Sequence, residues 1–201
     1  YKSRRGTKQT DYIHMIDPTS VQVLIEAVYE PHYARYAHLF GNTIAGFFSD
    51  EPSMGNCQTL DGTGEISMYN QRLGQPGLAL PWSDELLNSF KEQLGLDACG
   101  RLAALWHDQG ADTHEIRLTY MDILTKLWRK HFSNQLGSWC RERGVEYIGH
   151  IIEDMNAHAR LGWSAGHYFR ALDGQDMAGI DVVLHRVMPG LAHKTASSAS
   201  L

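Results

Sequence analysis

The sequence predicts an α/β fold of parallel strands with covering helices, on three observations. Helical patterns alternate with short apolar runs along the 201 residues. Those runs are continuously apolar, as in strands buried on both faces of a parallel sheet. Each run also ends in ionisable residues, which is where parallel α/β folds carry their chemistry. The order reads helix, strand, long helical excursion, strand, helix, strand.

The first helix opens at Asp17-Pro18, an N-cap followed by a proline suited to the first helical position. Val21, Leu24, Ile25 and Val28 follow at helical spacing, and Pro31 predicts a kink or break. A second helical piece runs to about Leu39 and stops at Gly41. The run Thr43–Ser49 is the first strand, ended by Asp50, Glu51 and Pro52. Residues 53–81, rich in glycine, form a long loop, a length that in compact domains usually serves function. Ser83 caps a helix with Asp84 and Glu85 in its first turn, where the helix dipole favours acids, and Gly95 ends it. A short helix lies around Arg101–His107.

A long helix covers Asp112 to about Arg143. Its apolar stripe is Ile116, Tyr120, Ile123, Leu124, Leu127, Phe132, Leu136 and Trp139. Val145–Ile152 is the second strand and ends in Glu153-Asp154. A helix near Gly166–Leu172 precedes a third strand, Ile180–Leu184, which ends in His185. Three strands occupy most of a chain shorter than the about 250 residues of a complete eight-unit barrel. The pattern therefore fits either a small α/β protein or part of a barrel.

Composition narrows the function classes. With 18 Lys and Arg against 23 Asp and Glu, the net charge of -5 argues against nucleic acid as a partner. The basic cluster Lys2, Arg4, Arg5 and Lys8 reads as a solvated terminal arm. Cys57, Cys99 and Cys140 form no C-x-x-C pair, so a disulfide framework is not expected and a reducing compartment is. No apolar run reaches the about 18 residues of a membrane span, and the start lacks the apolar core of a signal peptide. The expectation is a cytoplasmic protein without a membrane partner.

Candidate chemistry lies at the three strand ends: Asp50 and Glu51; then His150, Glu153 and Asp154, with Asn156 and His158 beyond; then Asp181 and His185. Glycoside hydrolysis needs two carboxyl groups facing each other, about 5–5.5 Å apart for retention and roughly 6.5–9.5 Å for inversion. Glu51 and Glu153, on different strands, suit that task. Each has a structural reading beside it. Asp-Glu-Pro also describes a turn with capping acids, His150 a hydrogen-bonded core histidine, and Asp181 a buried acid paired to a neighbouring strand. Trp128 and Trp139 fit the helix stripe and belong to the core, whereas Trp82 and Trp163 sit beside loops and suit a ligand surface. His150, Glu153, Asp154 and His158 also resemble a metal cluster, but without a tight His-x-His pair.

Five strings in order then carry a resemblance: Ile44–Pro52 (IAGFFSDEP), Leu80–Leu86 (LPWSDEL), Gly149–Asp154 (GHIIED), His167–Leu172 (HYFRAL) and Gly179–His185 (GIDVVLH). Together they resemble bacterial glycosyl hydrolases with a (β/α)₈ catalytic domain, most nearly the α-L-rhamnosidases of glycoside hydrolase family 106. The resemblance spans about Asp11 to about Ser198. It implies that residues 1–201 are the central segment of a TIM barrel, lacking the first and last strands. Glu51 matches the proton donor at the end of the fourth strand, with Asp50 beside it contacting sugar. The strand ending in Glu153 would be about the fifth, and that of Asp181 and His185 about the sixth. In many such barrels the second carboxylate sits on the seventh strand, before which this chain ends. Glu153 is the best partner within it.

The resemblance implies a hydrolase acting on an oligosaccharide or glycoside, with Glu51 and Glu153 catalytic. Asp50, His150, Asp154, Asn156, Trp82, Asp181 and His185 would contact substrate. No cofactor is called for, although acids and loop carbonyls leave room for a structural calcium. Exposed barrel edges imply self-association into a homo-oligomer. The alternatives are a metal-dependent sugar isomerase or epimerase using His150, Glu153, Asp181 and His185, and a non-catalytic carbohydrate-binding fragment.

Overall fold

The computed structural model describes residues 12–54, 72–95, 97–151 and 164–181, with the backbone of Ser3–Arg5 and Lys8–Thr10. Strands β1 (Ser3–Arg5) and β2 (Lys8–Thr10) pair antiparallel, which places Arg4, Arg5 and Lys8 of the basic cluster in paired backbone. Strands β3 (Gly46–Ser49), β4 (Glu146–Gly149) and β5 (Met177–Ala178) form a parallel sheet in chain order. Helices connect them, and the protein is α/β, as expected. No helix among the described residues is long and apolar enough to cross a membrane.

Helix α1 (Pro18–Leu24) starts where the Asp17 side chain accepts the Thr19 N–H. Pro31 does not break the chain's helical path. Residues Ile25–Tyr29 widen into a π-turn, and α2 (Glu30–Tyr36) continues from it. Proline at 31 lacks an N–H and crowds the carbonyl four residues back. The wider turn just before it is a known way to absorb that conflict.

Helix α3 (Asp84–Leu94) is capped by Ser83 Oγ, which accepts the Leu86 N–H. A short α4 (Ala98–Arg101) leads towards α5 (Thr113–Trp128), which passes through a π-turn at Arg129–Ser133 into α6 (Asn134–Glu142). All eight residues of the anticipated stripe, Ile116 through Trp139, are buried. Their recurrence on one side is what a helix of 3.6 residues per turn requires to cover a core. Helix α7 (Tyr168–Leu172) then leads to β5.

One face of the sheet carries Phe47 and Tyr147, paired in register. Phe47 stacks on Tyr29 at 4.5 Å and meets Trp139 edge-on at 5.5 Å. The Arg143 guanidinium lies 4.2 Å from the Trp139 ring and 5.0 Å from that of Tyr33. Glu30 Oε1 accepts from both Trp139 Nε1 and Arg143 Nη2. This knot binds α2 and α6 to the start of the sheet. Burial pushes the Tyr147 phenol up to about 12 and the Cys140 thiol, also raised by nearby Asp176, up to about 12, so both stay neutral inside this layer.

Two expectations change here. The continuous apolar run implies a first strand buried on both faces, yet Phe48 is 61% exposed, while Phe47 packs on Tyr29 and Trp139. The sequence pattern puts the third strand at 180–184, with Asp181 inside it. The described pairing instead falls at Met177–Ala178, because the short turn after α7 brings the chain against β4 at once: the Asp176 N–H donates to the Tyr147 carbonyl. Residues 182–184 lie outside the described ones.

Helix α6 crosses the turn before β5 at backbone contact. A Cβ at Gly137 would collide with the Gly174 carbonyl oxygen, and one at Gly174 with the Ser133 carbonyl. Gly137→Ala should therefore destabilise the protein by about 1–3 kcal/mol, although alanine in a helix ordinarily gains about 1 kcal/mol over glycine. Urea unfolding with an unchanged m-value checks this. A stabilised variant would show that α6 and the turn do not meet so closely.

Candidate active site

The strand register builds the site. Ser49 lies opposite Gly149 in neighbouring parallel strands, so the next residues, Asp50 and His150, leave the sheet side by side. His150 Nε2 lies 3.0 Å from Asp50 Oδ1. A carboxylate only accepts hydrogen bonds, so Nε2 carries the proton and donates it. The His150 side chain is 8% exposed and that of Asp50 77%. The buried imidazole thus holds one oxygen of a carboxylate that is otherwise open to solvent.

Support comes from both sides. On the open face the Phe48 ring packs against the imidazole at 5.7 Å. Beneath, Ser49 Oγ and the Tyr147 hydroxyl share a hydrogen bond of 2.8 Å. Gly149 matters to this closeness, since a Cβ there would run into the Ser49 backbone oxygen. On the far side, the Gly179 N–H donates to the Gly149 carbonyl, which brings the start of 180–181 alongside the strand end.

Glu51 follows Asp50 with φ of 46°, the one non-glycine with positive φ among the described residues. Left-handed backbone is costly for a residue with a Cβ. It redirects the chain at the strand end, ahead of the buried Pro52 and Met54. The Met54 N–H then donates to the Ser164 carbonyl, which ties this turn to the segment ahead of α7.

The structure brings Asp50, Glu51 and His150 together at adjoining strand ends and sets Asp181, half-buried, beyond the third. Trp82 does not join them. It lines a separate cleft with His14 and the starts of α1 and α3, and none of the described strand-end residues, Asp50, Glu51, His150 and Asp181, lines that cleft. Glu153, Asp154, Asn156 and His185 lie outside the described residues, as do His158 and Trp163. Among the described residues no group of three metal-binding side chains occurs.

Sequence reasoning missed Phe48 and the Ser49–Tyr147 pair. Phe48 carried a usable signal, because residues two apart on a strand share a face and Phe48 precedes Asp50 by two. The hydroxyl pair carried none, since its partners are 98 residues apart. No protein-family model, no curated protein and no solved structure matches this chain.

The φ at Glu51 gives a direct test. Glu51→Gly and Glu51→Ala both remove the side chain, and only glycine relieves the backbone. The glycine variant should be the more stable by about 1 kcal/mol, read from thermal or urea unfolding. Equal stabilities would remove the left-handed strain from the account of this turn.

Proposed function

We propose that this chain is the central part of a (β/α)-barrel glycoside hydrolase, with Glu51 the proton donor and Asp50, held by His150, a sugar-binding carboxylate. The α-L-rhamnosidase-like substrate class comes from the ordered strings of the sequence. The observation that carries the reading is the Asp50–His150 bond at the ends of neighbouring parallel strands, with Glu51 directly following.

Further features support it. The three parallel strands run in chain order, with helices between, as successive units of a barrel do. A doubly wound sheet reverses its strand order at its ligand site, and no reversal occurs among the described strands. Neighbouring strands lie about 4.8 Å apart. That spacing is compatible with the carboxyl separations that glycoside hydrolysis uses, although β4 ends at Gly149, four residues before Glu153. Glu153 follows His150 by three residues and is the proposed partner of Glu51.

In this mechanism Glu51 donates its proton to the leaving glycosidic oxygen as the bond to the anomeric carbon breaks. Glu153 either attacks that carbon, forming an ester that a water deprotonated by Glu51 then cleaves, or takes the proton of a water that attacks the carbon directly. Asp50 accepts a hydrogen bond from a sugar hydroxyl, with its orientation fixed by the imidazole N–H.

Hydrolysis of nitrophenyl glycosides, a rhamnoside included, tests the class. Glu51→Gln should lower kcat/KM by about 10²–10⁴ on substrates with poor leaving groups. Nitrophenyl substrates, whose leaving oxygen needs little protonation, should lose far less. Equal losses on both would remove Glu51 from the acid role.

The reading also proposes self-association. No described strand covers the outer edges of β3 and β5, and Phe48 and Met177 are exposed beside them. Sedimentation should show a dimer that weakens on Phe48→Ser. A protein that stays monomeric at high concentration would remove this part of the proposal.

A further inference from the structure

We propose that the cleft between the start of α1 and the start of α3 binds a neutral saccharide unit, apart from the strand-end site. The choice of ligand class rests on the glycosidase reading; the cleft itself does not. Its volume is about 370 Å³, within the about 300–1,000 Å³ of small-molecule sites.

The lining is of two kinds. Ile16, Pro18 and Trp82 supply apolar surface, and Asp17 and Asp84 supply carboxylates. His14 braces the wall: its backbone N–H donates to Ser20 Oγ at 2.9 Å, and its Nε2 bonds the Trp82 carbonyl at 2.7 Å. Some of the polar atoms have structural work already. Asp17 Oδ1 caps α1, and Ser83 Oγ caps α3. Glu85 also lines the cleft, but both its oxygens are engaged, by Lys130 at 2.7 Å and by buried His131 at 2.6 Å. Partial burial would raise its carboxyl. The hydrogen bonds and charges of those two partners outweigh that and hold it below the usual carboxylate range. What remains for a ligand is the second Asp17 oxygen, the Asp84 carboxylate and the half-buried indole.

This combination discriminates between ligand classes. Among the described lining residues there are carboxylates and no Lys or Arg, a balance that repels phosphate and carboxylate ligands. A small cation would leave the apolar half of the cleft unused. A pyranose satisfies both halves. Its C–H face packs on an aromatic ring, and its hydroxyls donate to ionised carboxylates, which make the stronger class of hydrogen bond.

Calorimetric titration of the Glu51→Gln protein, in which turnover of such poor-leaving-group glycosides is expected to be slowed about 10²–10⁴-fold, with methyl glycosides including methyl α-L-rhamnopyranoside tests the site. Saturable binding is expected. It should weaken by roughly tenfold or more on Trp82→Ala and on Asp84→Asn, the loss of one charge-assisted contact. Trp82→Phe keeps an aromatic face and should retain binding within a few-fold, which guards against a folding defect in the alanine variant. Binding untouched by both Trp82→Ala and Asp84→Asn would overturn the proposal, as would no saturable binding of any glycoside in the panel. Absence of nitrophenyl glycoside turnover by the unsubstituted protein, with cleft binding intact, would instead count against the glycosidase reading alone.

Discussion

The parallel pairing of β3 with β4 is the constraint on which the site depends. Asp50 and His150 are 100 residues apart, and only this register sets them side by side. A slip by one residue would turn each side chain to the other face of the sheet. Phe47 would then lose its place on Tyr29 and Trp139, and Asp50 would lose His150. The packed aromatic face and the polar strand end are therefore specified by the same hydrogen-bond ladder.

What holds the register is the helical layer. Parallel strands cannot be joined by a tight turn and need a crossover. Here the return path is the long α5–α6 helix, closed onto β4 by Gly144 in the left-handed region and by the Val145 N–H donating to the Cys140 carbonyl. Trp139, Glu30 and Arg143 then fasten that return to α2, on the other side of β3 in the chain. An aromatic pair adds about 0.5–1.5 kcal/mol beyond its buried area, and several meet around Phe47. A rigid base of this kind is what allows a left-handed Glu51 to persist at the strand end, where the surroundings must over-determine the backbone.

Two polar regions emerge with different characters. At the strand ends, a buried imidazole directs an exposed carboxylate beside a strained neighbour, which suits proton transfer and the orientation of a reacting group. Between the helix starts, carboxylates border an apolar wall without a reacting pair, which suits holding rather than converting. Trp82, grouped with the strand-end residues on sequence grounds, belongs to the second region because α3, which follows it directly, packs on α5 rather than on the sheet.

The sequence by itself determined much of the local structure, because the signals there are local. Asp17-Pro18 and Ser83 opened helices, the eight-residue stripe identified the α5–α6 face, and the apolar runs at 43–49 and 145–152 located two strands that form over the shorter spans Gly46–Ser49 and Glu146–Gly149. Tertiary structure decided the rest. It decided that Phe48 is exposed, since a continuous apolar run does not say how many faces are covered. It paired Met177–Ala178 with β4, where the short turn after α7 meets the sheet, and left Asp181 outside a strand. It also chose the partner of Asp50, and that of Ser49, since hydrogen bonds between residues about a hundred positions apart leave no periodicity for a sequence to display.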